Sequence, residues 1–156
     1  MAKILITYYS RTGHTERMAR LVAEGVAGCE VEVKRVQDTK VEDLLAADGI
    51  IIGSPTYYGL PAWEVKRLLD ESVSHHGELA GKVGAAFTSS ANIGGGNETT
   101  ILAILEAMLI HGMIVQGSAA GDHYGPVSIE SPDGRVERQC RALGARTASL
   151  VRRLHP

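Results

Sequence analysis

A chain of 156 residues with a net charge of −2 has enough length for one domain with a buried core, and its mixed signs leave no basic face for nucleic acid and no polybasic stretch for an anionic membrane. Its two cysteines, Cys29 and Cys140, lie far apart and outside any Cys-x-x-Cys pair, which argues against a zinc site, an iron–sulfur cluster and a disulfide framework. No apolar stretch approaches membrane-spanning length and the first strand begins at once, so a cytoplasmic location is expected.

In chain order, apolar runs predict strands at Ile4–Tyr9, Glu30–Arg35, Gly49–Gly53, Lys82–Thr88 and Met113–Gly117. Helical spacing predicts helices at Thr15–Ala27, Val41–Ala46, Pro61–Glu71, Glu98–His111 and Arg135–Leu154. This alternation is the signature of an α/β fold: a single domain over 1–156 with a doubly wound, five-stranded parallel sheet, order 2-1-3-4-5, and helices on both faces. Right-handed crossovers bring every strand-to-helix loop to one edge, where ligands bind.

The first of those loops, Ser10-Arg11-Thr12-Gly13-His14-Thr15, joins a buried strand to a helix N-terminus. The first helical N–H groups are free and the dipole favours negative charge. An ordinary turn capped by Thr15 needs one hydroxyl; three hydroxyls beside Arg11 and His14 suit a phosphate.

The second loop, Ser54 to Pro61, carries Pro55, Thr56, Tyr57, Tyr58 and Gly59, with Pro61 suited to the first turn of the next helix. Its tyrosines either border a flat aromatic ligand or cover the sheet edge; Trp63 is expected to pack. The third loop holds Thr88, Ser89, Ser90, Ala91, Asn92 and Gly94 to Gly96, whose glycines admit close main-chain approach and whose polar groups suit a heterocycle. Those glycines fail the dinucleotide-binding fingerprint on spacing. Tyr124, between turn residues after the last strand, reads equally as a ligand cover or a surface loop, and His75-His76 lack a third ligand for a metal.

With these loops in this order the chain resembles the flavodoxin superfamily, whose members bind FMN here. Ser10 to Thr15 looks like the flavodoxin phosphate signature. Ser54-Pro55-Thr56-Tyr57-Tyr58-Gly59, Phe87 to Ser90, Gly94 to Ile101, His111-Gly112-Met113 and Tyr124-Gly125 look more like the WrbA-type NAD(P)H:quinone oxidoreductases. The resemblance implies that Ser10 to Thr15 hold the FMN phosphate, that Thr56 to Tyr58 border the isoalloxazine with Pro55 and Gly59, that Thr88 and Ser89 to Gly94 hold its pyrimidine side, and that Tyr124 covers it. The chain departs from that family at Ile110, where one of two paired histidines is replaced, and in the missing tryptophan before Gly77 to Lys82. It also lacks the insertions near Gln37–Asp48 and before Gly121 that shape the tetramer.

The resemblance implies an FMN-dependent oxidoreductase taking hydride from NADH or NADPH and passing electrons to a quinone or similar small acceptor, in a dimer or tetramer, with Tyr58, His111 or Tyr124 as candidate substrate contacts. Residues 54–61 and 88–97 contain no acid, which eases accumulation of negative charge on a reduced flavin and favours two-electron chemistry. The alternative is a one-electron carrier with a protein redox partner, which Gly59 permits. A receiver domain would need carboxylates where Tyr9-Ser10 and Gly53-Ser54 stand, and a low-molecular-weight phosphatase would need a cysteine within Ser10 to Thr15.

Overall fold

The computed structural model describes residues 1–156. Strand β1 (Lys3–Tyr8) leads to helix α1 (His14–Gly25), β2 (Glu30–Arg35), α2 (Val41–Ala46) and β3 (Gly49–Tyr57). A two-residue strand β4 (Leu60–Pro61) precedes α3 (Trp63–Glu71), β5 (Val83–Ser90), α4 (Asn97–Ile110), β6 (Ile114–Val115), β7 (Val127–Ile129) and α5 (Gly134–Leu154). The sheet order is β2-β1-β3-β5, with β6 and β7 both parallel to β5. This is the expected doubly wound order, with the last position shared by two strands.

Alternation along β1 explains the two layers of core. Ile4, Ile6 and Tyr8 point into a cluster with Met18 and Val22 of α1 and Leu143 and Val151 of α5, whereas Leu5 joins Ile50, Ile52, Leu44, Leu68 and Ile104 on the other face. At the open edge, β2 is half exposed and carries ion pairs from Glu32 to Lys3 and Lys34, charges that discourage pairing with another strand. Cys140 is buried in the first layer, where burial pushes its thiol up to about 12, and both cysteines are free.

Three local expectations are corrected. The predicted fifth strand, Met113–Gly117, is two pieces: Ile114–Val115 pairs with the base of β5 and Val127–Ile129 with its top, while residues 116–126 leave the sheet between them. Strand β3 continues through the predicted loop to Tyr57 and turns at Tyr58-Gly59 into β4, pairing Thr56 with Pro61 and Tyr57 with Leu60. Pro61 therefore lies in a strand, and α3 starts at Trp63 behind an Ala62 cap.

His111 closes α4 at the end remote from its Asn97 N-terminus, about 20 Å along a helix of this length, so it does not reach the ligand edge as a substrate contact. It is buried, with Nε2 2.8 Å from Ser72 Oγ. Ser72 donates its one proton to the Leu69 carbonyl at 2.6 Å, so Nε2–H donates to Ser72 and the bare Nδ1 is left buried without a partner. Burial, then the charge of nearby His76, lowers the His111 pKa. The unfolded chain takes up this proton first as pH falls below about 6.5, so His111 costs stability from there downward until the folded state also protonates. His111→Gln is expected to shrink the stability lost between pH 7.5 and 5; denaturant unfolding at both values measures it, and an unchanged loss would reject the assignment.

Candidate functional site

Strands β1, β3 and β5 end side by side, and their loops enclose a cleft of about 520 Å³ lined by Arg11, Thr12, His14, Thr15, Pro55, Thr56, Tyr57, Ser89, Ser90, Ala91 and Glu130. The volume suits a nucleotide-sized ligand. The three loops read from the sequence thus converge.

The first wall is the N-terminus of α1. Its cap is Gly13 in the left-handed region at φ 101°, with no side chain on the first N–H groups, so those donors stay open to an anion. Thr15 is a buried residue inside the helix, its Oγ1 2.9 Å from Ser89 Oγ, and does not cap it. Ser10 Oγ accepts from the Gly13 N–H at 3.1 Å and shapes the turn. Thr12 is exposed and its hydroxyl makes no hydrogen bond within the chain; Arg11 makes no ion pair. The nearby Glu16 is turned to Tyr8 and Arg20, at 3.0 and 3.1 Å, which hold its carboxyl below the usual range and absorb its charge.

The second wall is the end of β3. Thr88 Oγ1 donates to the Ser54 carbonyl at 2.6 Å, so it accepts from Thr56 Oγ1 at 2.9 Å, and both protons are used inside the scaffold. Tyr57 faces the cleft and meets Tyr9 edge to face, 6.4 Å between centroids. Tyr58 projects fully into solvent from the hairpin tip at φ 52°. The third wall, Ser89 to Ala91, is stiffened where Ser90 Oγ donates to the Asn92 carbonyl at 3.0 Å and accepts from Asn97 Nδ2 at 3.3 Å.

Not every predicted residue lines this cleft. Ser10, Gly13 and Thr88 support it from behind, Tyr58 and Gly59 form the hairpin tip, and Gly94 lines a neighbouring cleft with Asp122 and Arg135. Asn92 acts through its carbonyl, and Tyr124 stands half exposed over a separate small cavity with Glu98 and Ile101. Sequence reading missed Glu130. It enters from the end of β7 at φ 57°, held by its N–H on the Ser90 carbonyl at 2.8 Å and by Ser128 Oγ on its own carbonyl at 2.8 Å. The second and third loops are acid-free as read, but the whole cleft carries this one carboxylate.

An anion-binding helix N-terminus, an aromatic wall and a polar hydroxyl-bearing wall at the switch point of a doubly wound sheet define a mononucleotide-binding α/β protein. The flavodoxin family model matches residues 6–153, and the chain belongs to that family. It is 42% identical to a flavodoxin of Aquifex aeolicus over 162 aligned positions, 97% of this chain and 88% of that one. It is 40% identical to an NAD(P)H dehydrogenase (quinone) of Sinorhizobium fredii over 197 positions, 99% of each, so that relative carries segments this chain lacks. Among solved structures, a WrbA-like flavodoxin from Agrobacterium tumefaciens superimposes with a TM-score of 0.79 at 32% identity, covering 98% of this chain and 99% of that one. An archaeal flavodoxin gives 0.80 at 28%, covering 96% and 99%. The chain is an FMN flavoprotein, and the open N–H groups, the unpaired Arg11 and the aromatic wall fit that cofactor. No helix is long and apolar enough to cross a membrane.

Proposed function

We propose that the chain is an FMN-dependent oxidoreductase that accepts hydride from NADH or NADPH and delivers electrons to a quinone or a similar small acceptor. FMN supplies the redox chemistry when bound. Arg11, Thr12 and the first N–H groups of α1 hold its phosphate, Tyr57 borders its ring, and Ser89 to Ala91 offer polar contacts to the ring's heteroatoms. Tyr58, open to solvent at the hairpin tip, is placed to meet an incoming substrate.

The observation that carries this reading is the charge of the cleft: one carboxylate, Glu130, stands against one permanent cation, Arg11, with no acid in either ring-facing loop. Such surroundings do not oppose negative charge on a reduced ring, which favours two-electron over one-electron transfer. The carrier reading is supported by the 42% identity to the Aquifex flavodoxin over 97% of this chain. The test is the anaerobic visible spectrum of the FMN-loaded protein before and after NADH, then NADPH. Rapid bleaching by either supports the oxidoreductase; a flavin that stays oxidised with both supports the carrier and a protein partner. Self-association belongs to the same reading, because α4 leaves Leu109 and Ile110 exposed at 58% and 73%; light scattering measures it.

A further inference from the structure

The hairpin that presents Tyr57 touches the rest of the molecule at a point outside the cleft. Gly96, at φ 94°, lies so close to the hairpin tip that a Cβ there would sit 2.3 Å from Gly59 Cα. Beside this contact, Thr99 Oγ1 lies 2.7 Å from the Gly59 carbonyl oxygen and 2.9 Å from the Gly96 carbonyl oxygen. A hydroxyl carries a single proton, and the two acceptors compete for it.

The competition has a clear outcome. The Gly96 carbonyl already receives the Thr100 N–H at 3.0 Å and Thr100 Oγ1 at 2.9 Å, which fills its two lone pairs. The Gly59 carbonyl sits at the turn between β3 and β4, outside the ladder, and is the nearer acceptor. The Thr99 proton therefore belongs to Gly59. The hairpin needs this bond, because two cross-strand pairs give little stability alone and its turn holds Tyr58 at a positive φ that a β-carbon disfavours.

We infer that Thr99 is a positioning residue: its hydroxyl latches the Gly59 carbonyl to the start of α4 and so fixes the spacing between the Tyr57 wall and the Ser89–Ala91 wall of the cleft. Without the hydroxyl the hairpin frays at Gly59, Tyr57 loses its fixed place, and ligand binding must order the loop again. The part of this inference that concerns FMN rests on the proposed cofactor placement; the latch itself does not.

The test compares Thr99→Val, which keeps the shape and removes the hydroxyl, with Thr99→Ser, which restores it. In the cofactor-free protein, amide exchange at Leu60, which pairs with Tyr57 across the hairpin, is expected to speed up in the valine variant and to return to the wild-type rate in the serine variant. FMN affinity, read by quenching of its fluorescence, is expected to fall about fivefold to tenfold in Thr99→Val, the worth of one neutral hydrogen bond, and to recover in Thr99→Ser. Unchanged exchange in Thr99→Val overturns the latch whatever the flavin does. Faster exchange with unchanged FMN affinity overturns its control of the cleft. Failure of the wild-type protein itself to bind FMN overturns the cofactor placement and leaves the exchange result to decide the latch.

Discussion

Replacing Gly144 with alanine is expected to destabilise the fold by about 3 kcal/mol and to lower the melting temperature by on the order of 10 °C. Helices α1 and α5 cross so closely that each presents a glycine to the other's backbone. A Cβ on Gly144 would lie 2.0 Å from the Val22 carbonyl oxygen and 3.2 Å from the Val26 nitrogen, and one on Gly25 would lie 2.0 Å from the Arg141 carbonyl oxygen. Backbone atoms cannot swing aside as a side-chain tip can, so the methyl must push the helices apart. That separation would loosen Met18 and Val22 against Leu143 and Val151, all within the same closely packed layer. Gly134 at the start of α5 provides the control: a Cβ there meets only the tip of Arg138 at 3.6 Å, and its alanine variant gains helix propensity, at most about 1 kcal/mol. Thermal unfolding of the two variants should move in opposite directions. If both are neutral, the close crossing of α1 and α5 is wrong.

The parts of this molecule legible in its sequence are those with strong periodicity. The run Ile4-Leu5-Ile6 is short and rich in β-branched residues, which suits a strand buried on both faces, and Met18, Leu21 and Val22 recur at helical spacing beside it. The first loop stands out in the sequence as part of a cleft because its hydroxyls exceed what a cap requires, and the structure places Arg11, Thr12, His14 and Thr15 in the cleft lining. What escaped depends on contacts distant in sequence. Val127–Ile129 is too short to show a pattern, and it becomes a strand only because the end of β5 offers Thr88 to Ser90 as partners. Glu130 enters the cleft through that pairing, so an electrostatic argument restricted to contiguous loops omitted it. The Tyr58-Gly59 turn was hidden because tyrosine rarely adopts a positive φ; the close contact with Gly96 and the Thr99 bond hold it there. Gly25 and Gly144 look unremarkable in their helices, and only the crossing of those helices gives them a purpose.

Replacing Thr12 with alanine is expected to weaken FMN binding by about tenfold to a hundredfold while leaving riboflavin binding unchanged, the range for losing one hydrogen bond to a charged group. The loop's three hydroxyls are not equivalent. Ser10 Oγ is engaged by the Gly13 N–H and Thr15 Oγ1 by Ser89, so both also maintain the shape of the site. Thr12 has no partner within the chain and lines the cleft beside Arg11, which makes its hydroxyl the donor left for a ligand. Its removal takes away a contact without disturbing the scaffold. The phosphate dianion distinguishes the two flavins, because riboflavin has the same ring and side chain but nothing for the α1 N-terminus to hold. Titrating the cofactor-free protein with each flavin by fluorescence quenching separates the possibilities. A loss confined to FMN places the phosphate at Ser10 to Thr15. Equal losses for both flavins would mean that Thr12 supports the ring wall, and no loss for either would move the phosphate away from this loop.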